Sequence, residues 1–386
     1  MSGGRGTFVA CLVSLALLGV NAAFVSGTVG FVHKPRKVLE TDHYHYIDMA
    51  EAPPGRAATA RGREAPFCYR VLAPGLVWLL TSAGVGVNDG FYLVTNLFLL
   101  SFLVALHALL RREGATGTEA QLGIALAALV PGAVRWYEYQ YWMPDPPCLF
   151  FVTLAVLLIR SGHQRALLVL SAVAPLARET YVLVLPVAFL CAWRTSSPRQ
   201  ALLRTAPLAV VTLGVLGALR LGIRPSGGAG LLAAAQEMVP FRGRHLLEGQ
   251  LYAATLGTFG VLFCLWWLRP ERLAAFVRRR PEDAVLVVAT YLSLAFANNT
   301  DRLLAYALPV VIPVALASLR FVSGFGVPWG ALAAIVLALQ AFAWAATPFH
   351  ELGISVYAQT QWTVVLALGA CWLGGRLLMR AGLRAA

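Results

Sequence analysis

The chain has 386 residues, 59% of them hydrophobic and only 13% charged, with a formal net charge of +13 and a mean hydropathy of +0.69. That composition excludes a soluble globule and describes a polytopic membrane protein. No polar stretch exceeds roughly 35 residues, short of the ~50 a separate domain needs, so residues 1–386 read as a single integral membrane domain. Nucleic acid is not the partner that the positive charge implies, because the arginines fall in short clusters between apolar runs, where cytoplasmic loop anchors sit.

In chain order, apolar runs of crossing length lie at 7–31, 89–110, 119–135, 146–161, 165–178, 180–193, 205–222, 251–268, 283–297, 303–321, 329–348 and 361–380, which predicts an all-α bundle of about twelve transmembrane spans. The first run, about 25 residues after Arg5, is too long for a signal-peptide core and reads as a retained helix. One more apolar stretch, 71–87, decides the sidedness of every loop after it. If it lies in the outer leaflet without crossing, Arg111 and Arg112, Arg160 and Arg165, Arg194 to Arg204, Arg269 to Arg280 and Arg376 to Arg384 all join Arg5 on one side. The positive-inside rule therefore makes it a juxtamembrane helix and places both termini in the cytoplasm. The outer loop 32–70 breaks the rule with Lys34, Arg36, Lys37, Arg56, Arg61 and Arg63, which points to anionic membrane lipids as partners. The bias of Arg over Lys fits a GC-rich bacterium, hence a bacterial inner (plasma) membrane. The six cysteines lack paired spacing, and all but Cys68 fall in apolar runs, so neither a disulfide framework nor zinc is expected.

On this topology five of the 18 acidic residues are cytoplasmic and the rest face outward. Acidic side chains have little influence on orientation, so that placement asks for another reason. The densest group is 41–50, with Asp42, His43, Tyr44, His45, Tyr46 and Asp48. On a helix, Asp42, Tyr46 and Met49 share a face, while His45 and Asp48 lie on a neighbouring one. Two roles are open to Asp42: a general base taking a proton from an acceptor hydroxyl, or a helix cap. Asp48 and the histidines are expected at the surface, with Asp48 the second candidate acid. Arg70 would sit at headgroup depth, gripping a phosphate or merely snorkelling. The aromatic stretch 136–142 is either an interfacial belt or a sugar-stacking wall that includes Tyr141, and it carries Glu138 and then Asp145. Arg178 and Glu179 stand at the tip of a hairpin of two short helices, as a cavity-facing pair or a structural lock. Asp301 and Arg302 open another span, with helix capping as the plain alternative. No cluster has convincing metal-ligand spacing. A divalent metal is possible but not indicated, and no cofactor is expected. There is no nucleotide-binding fingerprint or nucleophile elbow.

Asp42-x-x-x-Tyr46-x-x-Met49-Ala50 in the outer loop, Pro66-Phe67-x-Tyr69-Arg70-x-Leu72-x-Pro74 before the juxtamembrane helix, Pro144-Asp145-Pro146, Arg178-Glu179 and Asp301-Arg302 occur in an order that resembles the GT-C superfamily of polytopic glycosyltransferases. Bacterial members and the GPI-anchor mannosyltransferases share this layout. The resemblance covers most of residues 1–200, as a catalytic module containing the outer loop, and extends loosely over 201–386 as additional transmembrane helices. It implies a polyprenyl-phosphate-linked sugar donor and a lipid, glycan or protein acceptor. It makes the first outer-loop acid the base, here Asp42, although the family's close acidic pair is replaced by Asp42 and Asp48 six residues apart. The implied transfer inverts the anomeric centre, with Arg70, Arg302 or Arg178 holding the donor phosphate and Tyr46, Glu138, Tyr141, Asp145, Glu179 and Asp301 around the substrates. A multi-pass transporter or flippase of a lipid-linked or small polar solute is the alternative, and acyl or phosphoethanolamine transfer at the outer surface is a third.

Overall fold

The computed structural model describes residues 3–29, 42–227, 257–266, 270–294, 300–324, 326–346 and 373–377, with a few residues between 236 and 255 and Arg380. Among them the chain is helical, and a single parallel bridge between Glu64 and Gly227 stands in place of any sheet. The helices are α1 (Gly3–Val29), α2 (His43–Ala50), α3 (Leu72–Ser82), α4 (Val87–Arg112), α5 (Gly117–Ala128), α6 (Trp136–Tyr139), α7 (Asp145–Ser161), α8 (Gln164–Val173), α9 (Val184–Thr195) and α10 (Pro198–Gly222). They continue as α11 (Val261–Trp266), α12 (Pro270–Arg279), α13 (Pro281–Ser293), α14 (Thr300–Leu304), α15 (Leu308–Ser323) and α16 (Trp329–Ala346).

This is a helical membrane protein. Residues Gly6–Gly27, α4, α10 and Arg302–Ser323 are each long and apolar enough to cross a membrane, and a pair bent by 47° at 117–139 makes a fifth candidate. The other runs of the expected twelve are shorter helices or lie in part outside the described residues, as 361–380 largely does. The stretch 71–87 forms only the 11-residue α3. At 1.5 Å per residue that is ~16 Å, about half the hydrocarbon thickness.

Local chemistry explains the breaks. Thr116 and Glu119 form a reciprocal capping box that starts α5, and Ser197 caps α10 just ahead of Pro198. Gly162, at φ 73°, closes α7 in the left-handed conformation that glycine adopts without strain. The run 119–135 is not one continuous helix, as the hydropathy implies. Pro131 forces Val130 into an extended conformation and ends α5. The carbonyls thus left without helical partners are met by side chains from distant helices: Asn21 donates to Ala128 at 3.2 Å and Gln340 to Leu129 at 3.1 Å. Trp344 in turn donates to Asn21 at 2.9 Å, so α1, α5 and α16 are joined at the break.

The core centres on α4, α7 and α15, whose Leu103, Leu106, Leu149, Val152, Val311 and Ile312 are all fully buried. A Cβ on Gly123 would collide with Leu110 and press on Ile312, so glycine lets α5 approach both neighbours, the small-residue packing that membrane helices use where no water drives them together. At the periphery, Phe8, Leu12 and Leu15 of α1 and Leu202, Leu203 and Val210 of α10 are exposed, as lipid-facing positions must be.

Candidate functional site

The functional candidates converge at one end of this bundle, where α4 and α7 begin and the α8–α9 hairpin reaches its tip. α8 and α9 have 10 and 12 residues, so each rises only ~15–18 Å and the tip stays within the bundle. There Arg178 is fully extended, at φ −165° and ψ 143°. Successive side chains on extended backbone point to opposite sides, which separates neighbours that a helix would hold at a similar level. The two residues are not each other's partners. Arg178 Nη1 donates to Asp145 Oδ1 at the start of α7, while Glu179 turns to Arg70, accepting from Nε at 3.1 Å and Nη2 at 2.5 Å.

Arg302, on α14, completes the assembly. Its Nη2 donates to Asp42 Oδ2 at 3.0 Å, its Nη1 lies 3.6 Å from Asp145 Oδ2, and Nη1 also rests 2.9 Å from the Met143 sulfur. Tyr306, one turn further on, donates to Asp145 Oδ1 at 3.0 Å, and Tyr137 donates to the Arg302 carbonyl at 3.0 Å. Arg70 Nη1 donates to the Tyr46 hydroxyl at 2.9 Å and stacks over Phe67. The order Asp42, Arg302, Asp145, Arg178, Glu179, Arg70 alternates in sign throughout, and Arg70 lies close enough to Asp42 to act on its carboxylate. Three guanidinium groups and three carboxylates thus form a ring of zero formal charge, closed between Arg178 and Glu179 and between Arg70 and Asp42 by attraction through space and not by a hydrogen bond. Arg70, Arg178, Arg302 and Asp145 are buried, whereas the Asp42 and Glu179 side chains keep 32% and 34% of their surface open.

Electrostatics follow from this pairing. Burial pushes the Asp42 carboxyl up, but Arg302, Arg70 and His45 outweigh it and hold it below its ordinary range. Glu179 is likewise pushed up by burial and drawn down to about 2 by Arg70 and Arg178. Burial raises the Tyr46 hydroxyl, which remains a neutral donor and acceptor. Two atoms of the ring, Asp145 Oδ2 and Arg178 Nε, are buried without a hydrogen-bond partner, which leaves polar capacity inside it.

The remaining candidates sort differently. Asp42 precedes α2 but its side chain makes no capping bond, so the capping role open to it from sequence is not the one it plays here. Asp48 accepts from Thr59 Oγ1, and its carbonyl takes the Ala58 N–H, which ties down the loop. Against expectation, His43 is buried, stacked on Trp142 at 4.9 Å. Glu138 faces Asn96 and Tyr92 on α4, away from the ring. Tyr141 stacks on Trp142 and meets Tyr92 edge-on within the packing beneath α2 and α3, so it does not join the charged groups. The side chain of Asp301 lies outside the described residues. Tyr306, Tyr137 and Met143 belong to the site although they were not singled out as candidates. Tyr306 had a readable signal, since it stands four residues after Arg302 on the same helical face. Among the described residues no group of three or more His, Cys, Asp or Glu could hold a metal ion.

No family model matches the chain, and no curated protein is similar to it. Among solved structures it is similar to an oligosaccharyltransferase of Archaeoglobus fulgidus, tethered through a disulfide bond to an acceptor peptide containing the NVT sequon. The identity is 12% and the TM-score 0.46, over 95% of this chain and 55% of that one, so this chain spans about half of that protein's length.

Asp145 should be the residue whose loss the fold tolerates least. Replacing it with Asn takes from buried Arg178 the carboxylate it pairs with and leaves Arg302 with Asp42 alone, a change expected to cost about 3–5 kcal/mol. Asp48→Asn at the loop should stay within about 0.5 kcal/mol. Thermal unfolding of both purified variants in the same detergent checks this: a large drop in Tm for Asp145→Asn alone is expected, and equal drops would contradict the pairing.

Proposed function

We propose that the protein is a membrane glycosyltransferase that moves a sugar from a polyprenyl-phosphate donor to an acceptor hydroxyl on the extracytoplasmic face, with inversion and with Asp42 as the general base. The observation that carries this reading is the ring itself: three buried guanidinium groups at one end of the bundle, next to a carboxylate that keeps access to solvent. Guanidinium forks fit phosphate oxygens bidentately. A carboxylate held below its ordinary range is ionised at neutral pH, so its lone pairs are available to an acceptor proton although it is a weak base in this state. The order of motifs over residues 1–200, which resembles the GT-C superfamily, supports the same reading. The donor lipid would reach the site from the outer leaflet between helices.

In the chemical step Asp42 takes the proton of the acceptor O–H as that oxygen attacks the anomeric carbon. The bond from that carbon to the donor phosphate oxygen breaks on the opposite face, and its electron pair leaves with the phosphate. One negative charge thereby builds on the phosphate, where Arg302 and Arg70 stabilise it in a site of low dielectric. Arg302 holds Asp42 at 3.0 Å, and a phosphate drawn to the same guanidinium competes for that bond. Burial then acts on Asp42 with less opposition, and its affinity for a proton rises when the donor is bound. The donor would thus convert a locked carboxylate into a stronger base. A transporter or flippase fits less well, because its ionisable groups would be expected near the midplane and not gathered at one end.

Two outcomes test this. Asp42→Ala should lower transfer by about a hundredfold or more, the scale of general-base catalysis, while native mass spectrometry still shows a bound polyprenyl-phosphate sugar. Full transfer activity in that variant would remove Asp42 from the base role. In the unmodified protein, the acid limb of kcat/KM reports free Asp42 and should fall below the ordinary carboxylate range. The limb of kcat reports the donor complex and should lie at higher pH, because the Arg302 contact that depresses Asp42 has been given up. Coincident limbs would count against the exchange of partners.

A further inference from the structure

The opposite end of α7 carries a second arginine assembly that the proposed chemistry does not use. Asp145 and Arg160 stand 15 residues apart on one helix, so the two ends are separated by ~22 Å. At the Arg160 end, which the positive-inside rule assigns to the cytoplasm, α4, α7 and α9 finish and α8 and α10 begin. Between them opens a cavity of about 520 Å³, lined by Arg112, Arg160, Arg194 and Arg204 together with apolar Ile159, Ala188 and Cys191. That volume lies within the range of roughly 300–1,000 Å³ typical of ligand pockets.

The four arginines are not equally engaged. Arg160 is the fixed one, with Nη1 on Glu282 at 2.5 Å, Nη2 on Asp283 and Nε 3.4 Å from Glu113. Arg194 gives only Nη1 to Glu282, at 2.6 Å, and its side chain keeps 44% of its surface exposed. Arg112 reaches the Arg160 carbonyl only at 3.3 and 3.4 Å. Arg204 is exposed and pairs with none of the described residues. No acidic side chain lines the cavity. The acids behind it hold Arg160 and one nitrogen of Arg194, and among the described residues Arg112 and Arg204 on the lining pair with no carboxylate. Several guanidinium forks with free N–H groups around one void select an anion with several oxygens, and a phosphate ester satisfies them best.

We propose that this cavity is a binding site for the phosphate of an anionic phospholipid of the cytoplasmic leaflet. The choice of a lipid over a soluble phosphate ester rests on the surroundings. Leu202 and Leu203, directly before Arg204, are exposed and apolar, so the rim beside the cavity is a surface for an acyl chain. Arg278 and Arg279 of α12, also exposed, would lie at the same headgroup level. The site is independent of the glycosyl-transfer reading, because it shares no residue with the Asp42 ring.

Native mass spectrometry of the full-length protein, titrated separately with phosphatidylglycerol, phosphatidylcholine and glycerol 1-phosphate, tests the proposal. Arg194→Gln/Arg204→Gln is the test variant. Arg199→Gln, the same substitution at an exposed arginine of α10 outside the cavity, is the control. The unmodified protein and the control should retain phosphatidylglycerol in preference to phosphatidylcholine, and the double variant should retain it about a hundredfold more weakly, as expected for two lost charge-assisted hydrogen bonds. Glycerol 1-phosphate binding as tightly, and lost in the same variant, would overturn the lipid assignment in favour of a soluble ester. Equal phosphatidylglycerol retention by all three proteins would overturn the site altogether.

Discussion

A guanidinium group removed from water without a partner is more than a helical bundle of this size can tolerate, and that constraint organises the Asp42 end of the molecule. Arg70, Arg178 and Arg302 are each buried there, and each is met by a carboxylate contributed by a different segment. The breaks in the fold serve that pairing. Extended backbone at Arg178 sends two neighbouring side chains to two different partners. α7 begins at Asp145, which places its carboxylate between Arg178 and Arg302.

Alternation of charge gives the ring its functional character. With three charges of each sign it is neutral as it stands, so in the proposed reaction an incoming phosphate competes with the carboxylates for the arginines, beside the open donor Arg178 Nε. Asp42 and Glu179 keep about a third of their side-chain surface open, at 32% and 34%, and of the two Asp42 is the one proposed as the base. In this account, donor binding and activation of the base are one event, because Arg302 cannot serve the phosphate and the carboxylate equally at the same time. The deeper members, Asp145 and Arg178, are held by Tyr306 and by one another and serve as the frame.

Much of the site was legible in the sequence for a simple reason. In a chain with 13% charged residues, an Asp or Arg near an apolar run stands out, and Asp42, Arg70, Asp145, Arg178, Glu179 and Arg302 were all candidates on that ground. Their pairing was not legible. Arg302 and Asp42 are 260 residues apart and Arg70 and Glu179 are 109 apart, and no local pattern encodes such contacts. Adjacency even misled, since Arg178 and Glu179 read as a pair. The apolar pattern also concealed polar work inside spans: Asn21 and Gln340 sit in hydrophobic runs yet satisfy the carbonyls at the α5 break. Pro131, the cause of that break, was visible but lay within a run that hydropathy alone treats as continuous.

The two arginine assemblies at opposite ends of α7 differ in a way that matters. In the Asp42 ring each guanidinium pairs with a carboxylate, whereas among the described residues Arg112 and Arg204 of the cavity pair with none. In the first, the proposed reaction has an anionic phosphate exchange places with Asp42 on Arg302. A structure of the full-length protein with a polyprenyl phosphate bound tests it most directly. The Arg302 guanidinium is expected on the phosphate, with the Asp42 carboxylate released toward the acceptor side. A phosphate bound elsewhere, with the Asp42–Arg302 pair intact, would contradict it.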